Sequence, residues 1–170
     1  MVLITLFHGT NLAWSQAYFT PCDDLRKLCI EYIDAEKKSI HAAIYMFTDK
    51  KIAQALINAA KRGVEIVMIF DQISMSGYGK VRLLQEQNIT VYIHRTIDFN
   101  AYTMALMHHK FFIFGCNKEN KPLVWTGSWN CTIRASAYND ENVIVLDDAL
   151  VIERYENCFN QLRNRLLKIT

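Results

Sequence analysis

Three short polar clusters in the second half of the chain carry residue types that could act on a phosphate group. They are His108-His109-Lys110, Gly127-Ser128-Trp129-Asn130 and Asn139-Asp140-Glu141-Asn142, and each lies beside an apolar stretch. An imidazole can serve as nucleophile or base, lysine is a cation, and hydroxyl and amide groups are short hydrogen-bond donors. Together these groups suit the oxygens of a tetrahedral phosphate.

The spacing within the first cluster predicts where its side chains point. Since side chains alternate along a strand, His108 and Lys110 are expected on one face, about 7 Å apart along it. His109 should point away from that face, so it is interpreted as a structural or supporting residue. Gly127, directly before Ser128, allows a close approach of the backbone.

These clusters, in this order, resemble the H-K-D signature of the phospholipase D superfamily. The matching residues are His108-x-Lys110, Gly127-Ser128-x-Asn130 and Glu141, within the stretches MHHKFFIF, TGSWNCT and NDENVIV. These stretches are similar in sequence to those of small single-copy members, namely bacterial nonspecific endonucleases and mitochondrial cardiolipin hydrolases. One H-x-K pair is a weak signal, but three clusters in order form a specific one.

The residues and the resemblance together imply a mechanism. A neutral imidazole attacks phosphorus and forms a phosphohistidine, and a second imidazole protonates the leaving alkoxide. Lys110 and Asn130 stabilise charge on the phosphate oxygens. Glu141 resembles the family carboxylate that hydrogen-bonds a catalytic histidine and sets its tautomer. The predicted catalytic residues are His108, Lys110, Ser128, Asn130 and Glu141, and no metal or cofactor is implied because Mg²⁺-binding carboxylate clusters are lacking.

The need for two imidazoles predicts assembly. His8, His41 and His94 lack a lysine two residues later, so the chain has a single H-x-K. A twofold dimer would place two copies of His108 face to face, because such interfaces are self-complementary. We therefore expect a homodimer that completes the active site.

One position departs from the family pattern. Five residues after the lysine, where the family has Asp, this chain has Gly115, and the following turn is longer than usual. The resemblance then implies weaker catalysis, and a non-catalytic phosphate-binding module is an alternative. Asn117 or Glu119 in the turn are candidates to replace the missing carboxylate.

Hydrophobic periodicity predicts the elements that position these clusters. The first half alternates between helices at 23–38, from 48 or 49 to 62, and 81–87, and strands at 39–47, 64–70 and 89–93. The second half has a long loop at 94–107, a hairpin of strands at 110–114 and 123–126, a strand at 141–146 and a helix at 148–168. This order predicts an α/β fold, a three-layer αβα sandwich with a mixed, largely parallel sheet. The resemblance implies that residues 1–170 form a single phospholipase D-like domain.

The sequence leaves two substrate classes open, nucleic acid and phospholipid. The net charge of +2 is too small to decide it, so the positions of basic residues matter. Four lie in or beside predicted loops near the site and could contact an anionic substrate or simply face solvent: Lys80, Arg82, Arg95 and Arg134. Nucleic acid is the leading expectation. Phospholipid is the alternative, because the 94–107 loop carries Phe99, Tyr102, Met104 and Leu106.

Other residues favour structural readings. A zinc site from His94, His108 and His109 lacks suitable spacing. Asp71 ends a strand, where α/β proteins often place site residues, but capping is the favoured role. Trp125 and Trp129 are expected to pack in the core or at an interface.

Composition bounds the remaining properties. The chain is 51% hydrophobic and 21% charged, as in globular proteins, and its five cysteines are expected to be free thiols. No stretch reaches the roughly 20 apolar residues of a membrane span. Residues 1–17 lack a basic leader, although a poor or truncated export signal is an alternative. A soluble protein is expected, cytoplasmic or exported.

Overall fold

The computed structural model describes residues 13–95 and 105–167, in which helices and strands alternate along the chain. The first half contains β1 (Ser15–Phe19), α1 (Leu25–Ala35), β2 (Ser39–Ile44), α2 (Lys50–Lys61), β3 (Glu65–Asp71), α3 (Val81–Gln85) and β4 (Thr90–His94). The second half contains β5 (Lys110–Phe114), β6 (Leu123–Gly127), α4 (Ile133–Ala137), β7 (Asn142–Leu146) and α5 (Ala149–Leu167). Two 3₁₀ turns, Gln72–Met75 and Lys118–Asn120, lie in the connections.

The strands form one seven-stranded sheet in the order β1-β7-β6-β5-β2-β3-β4. Its mixed α/β character confirms the prediction. Parallel pairing, however, is confined to β2–β3 and β3–β4, and the other four strand pairs are antiparallel. The expectation of a largely parallel sheet was therefore wrong. The second half joins its strands through a hairpin and a helical connection between antiparallel neighbours, and β1, which the periodicity did not predict, adds a further antiparallel edge strand.

Apolar side chains on the two faces of the sheet enter separate cores. Phe112 and Phe114 of β5 pack with α1, α2 and α3, whereas Phe111 and Ile113 pack with α5. This division confirms the three layers and follows from strand alternation. Helix α5 contributes four buried side chains to the second core, namely Ile152, Phe159, Leu162 and Leu166, and Tyr155 is partly buried beside them.

Helix ends follow local side-chain chemistry. Asp24 caps α1 by accepting from the Lys27 amide at 3.0 Å, and Asp49 caps α2. Gly63 follows α2 with φ of +92°, which suits glycine. The helix predicted at 23–38 is shorter than expected because Glu36 has an extended backbone and turns its carboxylate to the next strand.

The pairing register brings the predicted polar clusters to one edge of the sheet. Lys110 lies opposite Ile44 and Phe111 opposite Thr126, so β5 begins where β2 and β6 end. We call this the site edge; its connections are 20–24, 45–49, 72–80, 95–109 and 128–141. The far edge carries the connections 36–38, 62–64, 115–122 and 147–148.

Several further expectations can be checked in the described residues. Trp125 and Trp129 are both 1% exposed and pack edge to face, which confirms core packing. All five cysteines are free, and Cys29 and Cys131 are buried. Within the described residues, no helix has the length and apolar character needed to cross a bilayer. The described residues do not include Phe99, Tyr102 and Met104 of the predicted loop. They also do not include residues 1–12, which belong to the segment considered as an alternative export signal.

Candidate active site

His108 and Lys110 meet at the start of β5. His108 lies in the extended segment before the strand and is exposed, while Lys110 is half-buried. The Lys110 Nζ lies 3.0 Å from His108 Nδ1 and donates to the His108 carbonyl oxygen at 2.6 Å. Tyr45, just after β2, supports both, because its ring centre is 4.4 Å from the imidazole and 5.1 Å from Nζ. The expected pairing of an imidazole with a cation is thus present.

The charge state of Lys110 depends on two opposing influences. Burial lowers the pKa of Lys110 from its usual value, and the negative charge of Glu141 raises it in partial compensation. Glu141 therefore acts electrostatically on the cation beside His108.

Ser128 connects the end of β6 to the start of β7. Its hydroxyl donates a very short hydrogen bond to Glu141 Oε2 and accepts from the Asn142 amide at 3.1 Å. Its own amide donates to the Asn142 carbonyl at 3.0 Å. A Cβ at Gly127 would overlap that same carbonyl, so the close approach expected at this glycine is real.

Glu141 is held by Asn139, two residues before it, and by Thr20 from the first half of the chain. Its Oε1 accepts from Asn139 Nδ2 at 2.9 Å. Thr20, after β1, accepts from the Glu141 amide through Oγ1 and donates to the Asn139 carbonyl, both at 2.7 Å. Sequence reasoning did not single out Thr20, although the Tyr18-Phe19-Thr20-Pro21 stretch belongs to the family resemblance. The Glu141 carboxylate thus binds Ser128 and Asn139, and its contact with a catalytic histidine stays a prediction.

Asn130 has a different position from the other predicted catalytic residues. Its side-chain oxygen accepts from the Met46 amide at 3.2 Å, which ties the loop after β6 to the loop after β2. Next to it, Cys131 pairs with Phe47 and accepts from the Thr48 amide at 2.9 Å. Asn130 therefore braces the loop that carries Tyr45.

A shallow pocket of about 320 Å³ opens beside His108, Lys110 and Ser128, while Asn130 and Glu141 do not line it. Its walls are His108, His109, Lys110, Phe111, Thr126, Gly127, Ser128 and Tyr155. His109 turns toward α5, with Nε2 3.9 Å from Cys158 Sγ, as its opposite direction predicted. Burial, followed by the charges of Lys110, Arg165 and His108, lowers the pKa of His109, which favours its neutral form.

Comparison with known proteins identifies the family. A sequence model described as "Cardiolipin synthase, PLD-like domain" matches residues 29–163, most of the chain. The chain belongs to the phospholipase D superfamily. The phospholipase D of Rickettsia bellii is 33% identical over 138 residues, which make up 81% of this chain and 63% of that protein.

A further curated relative and a solved structure are also similar to this superfamily member. The mitochondrial cardiolipin hydrolase of Xenopus laevis is 27% identical over 137 residues, 80% of this chain and 59% of that protein. The crystal structure of Nuc from Salmonella typhimurium, a phospholipase D family member, has a TM-score of 0.73 at 26% identity and covers 89% of this chain and 95% of that chain. The chain spans less than two thirds of the length of these two curated relatives.

The departure from the family's Asp lies away from the pocket. Gly115 is at the far edge, where a Cβ would overlap the Ser39 hydroxyl. Asn117 is buried and donates to the Tyr32 carbonyl and to Glu36, whereas Glu119 is exposed and pairs with Lys121. Asn117 and Glu119 lie with Gly115 at the far edge, and the hypothesis that one of them takes the place of the missing family carboxylate stays a prediction.

The four basic residues expected near the substrate all belong to the site edge or to α3 beside it. Lys80 is half-buried, and its amide donates to the Phe47 carbonyl at 3.1 Å. Arg82, Arg95 and Arg134 are exposed. In the described part of the chain, none of these four lines the pocket over His108, and their role in substrate binding stays a prediction.

Asp71, at the end of β3, makes the capping contact that the sequence favoured and one that it did not reveal. Oδ1 accepts from the Ile73 amide at 3.0 Å, which caps the 3₁₀ turn. Oδ2 accepts from the Met107 amide at 3.0 Å, directly before His108. His94 Nδ1 lies 3.8 Å from the same oxygen. The link to Met107 joins residues 36 positions apart, and no local pattern encodes such a contact.

The three histidines considered as zinc ligands each lie beside a different residue. His94 lies beside Asp71, His108 beside Lys110 and His109 beside Cys158. No three His, Cys, Asp or Glu side chains within residues 13–95 and 105–167 are grouped as metal ligands.

Proposed function

We propose that this chain is a metal-independent phosphodiesterase that acts through a phosphohistidine on His108. The observation that carries the proposal is the contact of His108 with Lys110 at the mouth of a pocket that Ser128 also lines. An exposed imidazole provides an accessible nucleophile, and an adjacent ammonium group provides charge stabilisation for phosphate oxygens.

The reaction would proceed in two displacements. A ring nitrogen of His108 attacks phosphorus, the P–N bond forms, and the P–O bond to the leaving group breaks. A second, protonated imidazole gives its proton to the leaving alkoxide. Water then attacks the phosphohistidine, the second imidazole takes a proton from that water, and the P–N bond breaks to release a phosphomonoester.

The same proposal assigns the second imidazole to a homodimer. Among the described histidines, His41 is stacked on Phe159 and bound to Glu156, and His94 lies beside Asp71. Neither lines the pocket over His108, and His109, which does line it, turns its ring toward Cys158 of α5. A twofold axis over the pocket would supply the partner's His108 and would bring the Glu141 carboxylate within reach of an imidazole.

Titrating wild type with inactive chains tests the shared site. Wild-type protein is equilibrated with increasing His108→Ala protein, and activity per wild-type chain is measured. If each site needs two copies of His108, this activity falls in proportion to the wild-type fraction. Glu119→Gln chains, which change only an exposed far-edge residue and keep His108, are the control, and mixing with them should leave the activity per total chain constant. Activity per wild-type chain that stays constant as His108→Ala protein is added would contradict the shared site.

Direct trapping tests the chemistry. Acid-free quenching followed by mass spectrometry should detect on His108 of wild type, during turnover, a phosphoryl group that still carries the ester substituent retained after the first displacement. His108→Ala should reduce turnover of a chromogenic phosphodiester by at least about 10³-fold, as expected for loss of a nucleophile. Equal rates for both proteins would instead favour the phosphate-binding module, and activity abolished by EDTA and restored by Mg²⁺ would overturn the metal-independent mechanism.

Nucleic acid is the proposed substrate class. The small single-copy pattern supports it, as do the four basic residues carried on or beside the site edge. An open, shallow pocket also suits a phosphodiester that enters along its length. Turnover measured side by side on single-stranded DNA, RNA, duplex DNA and phospholipid vesicles tests this choice.

Phospholipid is the second candidate because of the apolar side chains on the same edge. Exposed large hydrophobic residues occur in several site-edge connections, namely Ile73, Tyr78, Leu106, Ile133 and Tyr138. The relatives named phospholipase D and cardiolipin hydrolase point the same way. Faster turnover of vesicles than of any nucleic acid would replace the first choice with this one.

A further inference from the structure

The segment that carries His108 depends on its surroundings for its position. Residues 105–109 precede β5 and belong to no helix or strand. A nucleophile must nevertheless be held firmly, since a displacement of about 1 Å costs on the order of 100-fold in rate. Contacts from neighbouring connections must therefore fix this segment.

Two backbone contacts hold the segment on its carboxyl-terminal side. The Tyr45 amide donates to the His109 carbonyl at 2.8 Å, and Lys110 Nζ donates to the His108 carbonyl. On the amino-terminal side, the Met107 amide donates to Asp71 Oδ2 at 3.0 Å. Met107 is itself 2% exposed and packs in the core beneath α5.

Asp71 is suited to this task by its own fixed position. It ends a central strand, is 1% exposed, and has one oxygen committed to the Ile73 amide. Charge-assisted hydrogen bonds to a buried carboxylate are shorter and stronger than neutral ones. The second oxygen thus transmits the position of the rigid sheet to the residue before His108.

We propose that Asp71 is a positioning residue that holds His108 for attack, by accepting the Met107 amide. The inference rests on the proposed function of His108. Asp71 does not touch the substrate, so its loss should reduce the rate of chemistry while leaving substrate binding nearly intact.

Asp71→Asn tests this with little change in shape. The amide offers one acceptor and one donor, so either the Ile73 or the Met107 amide must face another N–H group. We expect kcat to fall about 100-fold with KM close to wild type, and the Met107 amide to exchange hydrogen faster.

Asp49→Asn is the matched control. Asp49 is also 1% exposed and caps a helix at the site edge, where its Oδ1 accepts from Lys51 and Ile52 and its Oδ2 accepts no hydrogen bond in the described residues. It does not contact the His108 segment. Its substitution should leave kcat per folded molecule and Met107 exchange at wild-type values.

A backbone ester at Met107 decides the matter if Asp71→Asn fails to fold. The ester replaces only the N–H with oxygen and keeps every side chain. The same fall in kcat would support the proposal, and wild-type kcat in either folded variant would overturn it. If wild type has no phosphodiesterase activity, the proposed function fails on its own, while unchanged Met107 exchange in Asp71→Asn would separately reject the positioning contact.

Discussion

Strand β5 joins two polar regions that use buried carboxylates differently. At the far edge, Glu36 is 2% exposed, and its Oε1 accepts from the Lys38, Ser39 and Cys116 amides at 2.8–3.0 Å. At the site edge, Asp71 likewise accepts two backbone amides. At the far edge, backbone amides thus occupy one oxygen of the Glu36 carboxylate. At the site edge, the Asp71 carboxylate supports a segment whose own side chains face an open pocket.

This difference implies that stability and activity can be separated along one strand. Three backbone amides and Asn117 Nδ2 donate to the Glu36 carboxylate, so the far edge organises a turn. His108, Lys110 and Ser128 retain hydrogen-bonding capacity toward the pocket. Variants at the two ends should therefore change different measured quantities.

Among substitutions within β5 and at its two ends, Lys110→Met should have the largest effect on activity. The variant removes the cation beside His108 but keeps an unbranched side chain, so kcat should fall about 10²- to 10³-fold. Because burial of Lys110 disfavours its charged form, we expect the folded state to be no less stable than wild type. Steady-state kinetics and urea unfolding measure the two quantities, and a large loss of stability would contradict this interpretation.

Gly127→Ala should reduce both stability and activity. The new Cβ would overlap the Asn142 backbone carbonyl, which cannot move without disturbing the pairing of β6 with β7. We expect a loss of about 1–3 kcal/mol in the free energy of unfolding and reduced activity, since Ser128 follows directly.

Gly115→Ala is the far-edge counterpart. Its Cβ would overlap the Ser39 hydroxyl, which can rotate away. We expect less than about 1 kcal/mol of destabilisation and unchanged kcat. Equal losses in the two variants would mean that the two edges do not differ in the way described.

Glu36→Gln should affect stability alone. The substitution removes the charge from a buried acceptor of several amides, and hydrogen bonds to charged groups contribute about 1.5–3 kcal/mol each. We expect the free energy of unfolding to fall by about 1–2 kcal/mol without change in kcat per folded molecule. A proportional fall in kcat would place the far edge in the catalytic machinery.

Glu141→Gln should shift the pH dependence of activity. Glu141 raises the pKa of Lys110, so its neutralisation lowers that pKa further, and the alkaline limb of the rate profile should move to lower pH. Lys110 also affects how stability depends on pH, in the direction opposite to that of an ion-paired lysine, whose raised pKa makes stability fall as pH rises. Because the folded pKa of Lys110 is below the unfolded value, Lys110 makes stability rise as pH increases between the two. An alkaline limb that did not move would exclude Lys110 as its source.

Much of the site edge was predictable from local sequence. The H-x-K spacing indicated the contact of His108 with Lys110, and strand alternation indicated that His109 faces the other way. The antiparallel arrangement was harder, because β1 lies in a stretch without clear alternation and pairs with β7 near the other end of the chain. The Asp71–Met107 and Thr20–Glu141 contacts join residues 36 and 121 positions apart, and only the folded topology brings them together.

Gly115→Asp should change activity little, although it restores the residue that the family pattern has at this position. Gly115 and Lys110 lie five residues apart on an extended strand, about 16 Å at 3.3 Å per residue. Glu36 already accepts the neighbouring amides, so a new carboxylate would lie close to an existing buried one and gain no donor. We expect kcat within about twofold of wild type and slightly lower stability, which Ser39→Gly in the same chain should partly restore by making room. A severalfold rise in kcat would show that the two ends of β5 are coupled, and that the far edge contributes to catalysis as well as to the turn.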